Sequence, residues 1–136
     1  MRPDAIIVDI DGTLADRANR SPFGWDSAST DLPIYPTIRL VQALAGESLV
    51  LYVTGRSEVC RDATLDWLRE HVGVAGPLFM RRADDNRRDA TLKGELFRKH
   101  IRDSYRVWMV LDDRNQTVAM WRRLGLACFQ VSAGDF

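Results

Sequence analysis

The sequence has 136 residues, of which 46% are hydrophobic and 28% are charged, and its 19 basic residues balance 19 acidic ones. This length fits one domain, residues 1–136, and because the longest apolar run falls far short of the ~20 residues that a membrane helix needs, no membrane role is expected. The balanced charge excludes long-range attraction of a polyanion, and the lack of a signal-peptide pattern at the N-terminus favours a cytoplasmic location.

The first predicted elements are a strand and a long irregular segment. Residues 5–10 form a short apolar run that ends in polar residues and Gly12, which is typical of a buried strand. Residues 14–36 show no sustained period and are rich in Ser, Asp, Pro and Gly, with Phe23 and Trp25 as candidate anchors. Segments of this length without regular structure are usually functional or disordered.

Predicted helices and apolar strands alternate after this segment. Pro36 suits a first helical position and Gly46 ends that helix, while Ser57 is a good N-cap for the next one. The order is helix 36–46, strand 48–53, helix 57–72, strand 78–80, helix 89–101, strand 107–111, helix 115–124 and strand 127–131. This alternation predicts an α/β fold, a three-layer α/β/α sandwich with a mostly parallel, Rossmann-like sheet. Neither 14–36 nor 82–88 is long enough for a large cap domain.

Two carboxylates stand at alternate positions where the first predicted strand ends, in the sequence Asp9-Ile10-Asp11-Gly12-Thr13. Open α/β sheets build their sites at this carboxyl edge, so both side chains could reach one pocket. Close carboxylates repel each other unless a cation lies between them or one of them is protonated. Both arrangements are useful for phosphoryl transfer. The pattern resembles the signature of the haloacid dehalogenase superfamily, whose first Asp attacks phosphorus and whose second is the general acid and base.

Three further landmarks of that superfamily occur in the expected order. Thr54-Gly55-Arg56 follows the second strand, although this segment could be an ordinary strand-to-helix turn. Lys93 lies on the third helix and could neutralise phosphoryl charge, although a helical lysine is usually solvated; Lys99 is the one other lysine. Asp112-Asp113 follows an apolar strand and supplies a carboxylate for Mg²⁺, although such pairs are often turns or N-caps. The conjunction of these elements is more specific than any one of them.

A closer resemblance covers nearly the whole chain. The sequence resembles the 3′-phosphatase domain of the bacteriophage-type bifunctional polynucleotide kinase-phosphatases. The matching segments include Arg20-Ser21-Pro22-Phe23, Arg87-Arg88-Asp89, Asp112-Asp113-Arg114, Met120-Trp121-Arg122-Arg123 and Gly134-Asp135-Phe136. The family's kinase domain and its Gly-x-x-x-x-Gly-Lys-[Ser/Thr] loop are absent from these 136 residues, so 5′-kinase activity is not expected of them.

The resemblance implies a role for each matching position. Asp9 would be the nucleophile that forms an aspartyl-phosphate, and Asp11 the residue that protonates the leaving oxygen and then activates water. Asp9, Asp112 and the backbone carbonyl of Asp11 would hold Mg²⁺, with Asp113 in a second metal shell or at the phosphate site. The phosphoryl group would be bound by Thr54, Gly55, Arg56 and Lys93, with Arg20 adding a contact from the long segment.

The implied substrate is a nucleic-acid 3′ end, of DNA or RNA, carrying a 3′-phosphate or a 2′,3′-cyclic phosphate, as in end healing and repair. Four arginines, Arg81, Arg82, Arg87 and Arg88, could contact its backbone, but the interleaved aspartates equally support a self-paired surface. A phosphatase for small phosphomonoesters and a non-catalytic module that binds nucleic-acid ends are the alternatives. A homo-oligomer and a separate kinase or ligase partner both stay open.

Overall fold

The computed structural model describes residues 1–16 and 31–136, and a parallel sheet lies at the centre of these residues. The sheet has five strands in the order β5-β4-β1-β6-β7, and every neighbouring pair is parallel. The strands are β1 (Asp4–Val8), β4 (Leu49–Ser57), β5 (Leu78–Arg81), β6 (Arg106–Asp112) and β7 (Cys128–Gln130). The predicted apolar runs therefore become the strands of one sheet, whose order places β1 at its centre.

Within the described residues, four α-helices connect these strands. They are α1 (Tyr35–Leu44), α2 (Arg61–His71), α3 (Asp89–Leu96) and α4 (Asn115–Arg123). Pro36 lies in the first turn of α1, as predicted. Ser57 accepts a hydrogen bond from the backbone N–H of Val59, but a 3₁₀ turn comes first and α2 begins only at Arg61. The predicted helix 89–101 is α3 followed by one π-helical turn, Phe97–Ile101.

Alternate residues of β1 point to opposite faces of the sheet and join two separate cores. Ile6 and Val8 pack with apolar residues of α1 and α2, whereas Ala5 and Ile7 pack with residues of α3 and α4. A parallel strand that is buried on both faces needs an unbroken apolar run, which explains the sequence of β1. The three-layer α/β/α sandwich with its parallel, Rossmann-like sheet is confirmed.

The long segment after β1 begins and ends in a small antiparallel pair. Strand β2 (Ala15–Asp16) pairs with β3 (Leu32–Pro33), which brings the two ends of the segment together. The anchors predicted at Phe23 and Trp25, and the substrate contact predicted at Arg20, lie outside the described residues. Within residues 1–16 and 31–136 there is no cap domain, and none of their helices is long and apolar enough to cross a membrane.

Gly76 lies where the connection from α2 to β5 passes the backbone of β4. A Cβ atom at this position would be 1.9 Å from the carbonyl oxygen of Val50, which strand pairing prevents from moving away. At Gly46 a Cβ atom would meet nothing within 4 Å. The two glycines are therefore a matched pair for testing the packing of the sheet.

We predict that Gly76→Ala lowers the free energy of unfolding by about 1–3 kcal/mol or more, because the methyl group overlaps backbone. Gly46→Ala should be neutral or stabilising by about 0.4–1 kcal/mol, since it only restricts the unfolded chain. Urea titration followed by circular dichroism measures both. Equal stability of the two variants would contradict the close approach at Gly76.

Candidate active site

Asp9 lies directly after β1, at the carboxyl edge of the sheet. Its backbone N–H donates to the carbonyl of Leu111 on the neighbouring strand β6, 3.0 Å away. Its side chain, which is 6% exposed, accepts hydrogen bonds from the hydroxyl of Thr13 at 2.9 Å and from Nζ of Lys93 at 2.7 Å. One of the two lysines in the chain is thus buried against the predicted nucleophile.

Asp112 lies at the end of β6 and is held from three directions. Its Oδ2 accepts hydrogen bonds from Nζ of Lys93 at 3.0 Å and from the indole N–H of Trp121 at 3.1 Å. Its Oδ1 accepts one from the backbone N–H of Asp113 at 2.8 Å. The same ammonium group therefore bridges Asp9 and Asp112, which come from neighbouring strands.

Gly12 makes room for the third carboxylate of the site. Its φ angle is +82°, a conformation that side chains rarely adopt, and a Cβ atom there would lie 2.0 Å from Oδ2 of Asp113. Both the backbone turn and the position of Asp113 therefore require glycine. The glycine of the Asp-Gly-Thr motif therefore makes room for Asp113, a carboxylate that is remote in sequence from Asp9.

Asp9, Asp112 and Asp113 form one buried acidic cluster, in which each offers a carboxylate oxygen within 4.8 Å of the others. Burial, followed by the charge of Asp112, raises the pKa of Asp9 well above its usual range. Burial is also the main cause of the raised pKa of Asp113. Burial by itself would lower the pKa of Lys93, but Asp112 and Asp9 outweigh it and hold that pKa above its usual value.

This acidic cluster fits a hard divalent cation. Its donors are carboxylate oxygens from three residues, and the single ammonium of Lys93 cannot balance them all. Asp113, which the sequence analysis assigned to an outer metal shell or the phosphate, supplies the third carboxylate. The backbone carbonyl of Asp11 as a metal ligand stays a prediction.

Asp11 belongs to a different set of contacts, centred on Arg56. Nη2 of this arginine donates to Oδ1 of Asp11 at 2.7 Å and to Oδ2 of Asp31 at 2.7 Å, and Nε also faces Asp11. Its Nη1 donates to the hydroxyl of Thr64 at 3.2 Å. Although burial opposes a charged guanidinium, the hydrogen bonds and charge of Asp11 keep the pKa of Arg56 above its usual value.

These contacts give Arg56 a position that the sequence analysis did not anticipate. Its side chain is 0% exposed and holds the predicted general acid, whereas we expected it to contact the phosphoryl group. Thr54 is equally buried, and its hydroxyl accepts from the backbone N–H of Arg56 at 3.1 Å. Gly55, between them, lines the cleft. Phosphate contacts from Thr54 and Gly55 stay predictions.

The acidic cluster opens into a cleft of about 750 Å³ at the carboxyl edge of the sheet. Arg81 frames one side: its Nε donates to the carbonyl of Gly55 at 2.8 Å and its Nη2 to Asp89 at 2.5 Å. Asp89 also accepts from Arg114 at 3.1 Å, and the guanidinium of Arg114 lies 4.7 Å from the ring centre of Phe136. No site role was predicted for Asp89, Arg114 or Phe136.

The arginines around 81–88 are largely paired within the protein. Arg87 forms ion pairs with Asp85 and with Glu95, while Arg82 lies 3.6 Å from Asp84 in an exposed pair. Arg88 donates to the side-chain carbonyl of Gln116. This pattern corresponds to the self-paired surface, one of the two alternatives that the sequence left open.

The architecture is that of haloacid dehalogenase-like hydrolases. The haloacid dehalogenase-like hydrolase SP0104 from Streptococcus pneumoniae superposes with a TM-score of 0.61 at 13% identity, covering 93% of this chain and 83% of that one. Residues 3–136 match the family model of the polynucleotide kinase (PNKP) phosphatase domain. The chain belongs to this family.

Two longer proteins resemble the chain more closely. A chain in the structure of the Pnkp1/Rnl/Hen1 RNA repair complex is 39% identical with a TM-score of 0.95, over 99% of this chain and 44% of that one. A protein of Autographa californica nuclear polyhedrosis virus, described as a "Putative bifunctional polynucleotide kinase/RNA ligase", is 36% identical over 126 residues, 90% of this chain and 18% of its own length. The chain therefore spans less than half of either relative.

The burial of Lys93 leads to a stability prediction. In metal-free buffer at pH 7, Lys93→Met should lower the free energy of unfolding by about 3–5 kcal/mol, because Asp9 and Asp112 are left buried without their counterion. Lys99, which is 65% exposed and paired with Glu95, is the matched control, and Lys99→Met should cost less than about 1 kcal/mol.

The loss in Lys93→Met should shrink as the pH falls toward about 4, the ordinary range of an aspartate pKa. The carboxyl group of Asp9 has a raised pKa in the folded state. It therefore lowers the free energy of unfolding only at pH values where the same group is ionised in the unfolded chain, and this loss grows with rising pH. Urea titrations at pH 7 and pH 4.5 give the comparison. A loss of the same size at both pH values would contradict the proposed carboxylate repulsion.

Proposed function

We propose that this domain is a magnesium-dependent polynucleotide 3′-phosphatase that acts through an aspartyl-phosphate on Asp9. The observation that carries the proposal is the buried contact of Asp9 with Lys93 at the base of an open cleft. Membership of the PNKP phosphatase-domain family supports the substrate class.

In the first step, a carboxylate oxygen of Asp9 attacks the phosphorus atom, and the bond between phosphorus and the 3′ oxygen breaks. The leaving oxygen takes a proton from Asp11. In the second step, Asp11 accepts a proton from water, whose oxygen attacks the phosphorus and releases phosphate and the free Asp9 carboxylate. Throughout both steps, Lys93 offsets the negative charge that gathers beside Asp9.

The metal site of this proposal consists of Asp9, Asp112 and Asp113, with the backbone carbonyl of Asp11 as a further ligand. When bound there, Mg²⁺ supplies Lewis-acid stabilisation of phosphoryl charge. Besides Lys93, Trp121 and the backbone N–H of Asp113 donate hydrogen bonds to the Asp112 carboxylate and fix its orientation. Such fixed orientation is what a hard cation with strict geometry requires.

The role of Arg56 in this proposal is to position Asp11. A bidentate guanidinium fixes a carboxylate in direction as well as in place, and Asp31 and Thr64 fix the guanidinium in turn. Proton transfer depends on such placement. Contacts to the phosphoryl group from Thr54, Gly55, Lys93 and Arg20 belong to the proposal as well.

The names of the longer relatives connect them with a kinase, an RNA ligase and RNA repair. We therefore place the substrate of this domain among broken nucleic-acid ends, with a 2′,3′-cyclic phosphate as a second substrate on RNA. Kinase and ligase units are the partners that this assignment favours. The described residues contain no cap domain, which agrees with the end of a polymer as the proposed substrate. A cytoplasmic location stays a prediction.

The proposed acid role of Asp11 can be tested with two leaving groups. Asp11→Asn should lower kcat for a 3′-phosphorylated oligonucleotide by about 10²–10⁴-fold, because an alkoxide must be protonated as it leaves. The loss should largely disappear with an activated aryl phosphate, whose leaving group needs no proton in the first step, when release of the aryl alcohol is measured in a single turnover.

Two variants are the controls for this test. Asp103→Asn, at a carboxylate that is 91% exposed, should retain wild-type rates on both substrates. Asp9→Asn should be inactive on both, because the amide is a poor nucleophile. An equal loss for Asp11→Asn on the two substrates would point to an electrostatic role of Asp11 instead.

The substrate assignment is tested with matched oligonucleotides that carry a 3′-phosphate, a 5′-phosphate or neither, each with and without ATP. We expect removal of the 3′-phosphate alone and no 5′-phosphorylation. Chelation by EDTA should stop turnover and added Mg²⁺ should restore it, since the acidic cluster needs a hard cation for activity. A nucleoside monophosphate hydrolysed as fast as the oligonucleotide would favour a phosphatase for small phosphomonoesters. Binding without turnover would favour an end-binding module.

A further inference from the structure

The rim of the cleft carries one large apolar surface that phosphoryl chemistry does not use. Among the described residues that line the cleft, Phe136 has the only aromatic ring, and it is 60% exposed. Val59, which is 69% exposed, also lines the cleft. Most of the other lining side chains are charged, and they comprise seven aspartates and four cationic residues. An exposed ring therefore stands at the rim of a strongly polar cleft.

Contacts on one face of the Phe136 ring hold it in place. The guanidinium carbon of Arg114 lies 4.7 Å from the ring centre, within the range of a cation–π interaction. Arg114 is itself fixed, because its Nη1 donates to Asp89 at 3.1 Å and Asp89 also pairs with Arg81. The ring is thus supported by the same charged groups that frame the cleft.

The backbone near the ring packs closely against the backbone of Asp113. The carbonyl of Gly134 accepts hydrogen bonds from the backbone N–H groups of Asn115 at 2.8 Å and Phe136 at 2.9 Å. A Cβ atom at Gly134 would lie 1.7 Å from the carbonyl oxygen of Asp113, so only glycine allows this approach. Phe136 is therefore anchored next to a member of the acidic cluster.

We propose that the ring of Phe136 stacks on the base of the nucleotide that carries the scissile 3′-phosphate. The inference rests on the proposed function and adds a contact to it. When that phosphate lies at Asp9, the sugar and then the base are the next groups outward, and the base is the planar apolar one. Every base has a π-face, so a stacking contact accepts any terminal nucleotide. Arg114, on one face of the ring, strengthens its support.

The experiment compares two oligonucleotides with a 3′-phosphate, one ending in thymidine and the other in a tetrahydrofuran residue that lacks a base. The wild type should prefer the thymidine end in kcat/KM by about 5–10-fold, the lower range for loss of one stacked base. Phe136→Ala should abolish this preference, and Phe136→Trp should retain it. Phe129→Ala is the matched control, because Phe129 is 58% exposed on β7 and does not line the cleft, and it should keep the full preference.

Four results would overturn the inference. A wild type without preference for the base, or a Phe136→Ala variant that keeps it, would exclude the stacking contact while 3′-dephosphorylation stands. Equal losses for Phe136→Ala on both oligonucleotides would show that the ring acts only through Arg114 and the cleft wall. A wild type that hydrolyses an aryl phosphate but neither oligonucleotide would overturn the proposed function, and the stacking contact with it.

Discussion

One buried ammonium group makes this site possible. Asp9 follows β1 and Asp112 ends the neighbouring strand β6, so two buried carboxylates lie close together and would repel each other strongly without a cation. Lys93 lies between them and contacts both. Because Lys93 is part of α3, these contacts require α3 to pack across this end of the sheet. Thr13 and the backbone N–H of Asp113 satisfy the two remaining oxygens of the pair, and Trp121 donates a second hydrogen bond to the oxygen of Asp112 that Lys93 contacts.

Much of the fold could be predicted because the sequence marks it locally. Buried parallel strands require unbroken apolar runs, and Pro36 marks the start of α1 as expected. The start of α2 was harder to predict from the sequence, because Ser57 caps a 3₁₀ turn before the α-helix begins. Asp9, Lys93 and Asp112 were found from their order along the chain, and the structure brings them into contact. The role of each in phosphoryl transfer stays a prediction.

Other parts of the site could not be predicted because their partners are distant in sequence. Arg56 follows a candidate phosphate-binding threonine, which suggested a phosphate contact, but its charge is directed to Asp11 and Asp31. Asp31 carries no local signal, since it lies in a segment without any period. No sequence pattern indicates the contact of Arg114 with Phe136 either. Net charge and arginine content show only that ion pairs can form.

The central position of β1 has a consequence for how the chain folds. It pairs with β4 and with β6, so that Ile7 has Leu51 on one side and Val110 on the other. Contacts so far apart in sequence require large loops to close first, which slows folding. During synthesis, β1 is made before both of its neighbours, and its edge toward β6 stays uncovered until β6 has been made. Strand edges of this kind promote aggregation, so the newly made chain depends on rapid completion of the sheet or on protection by a chaperone.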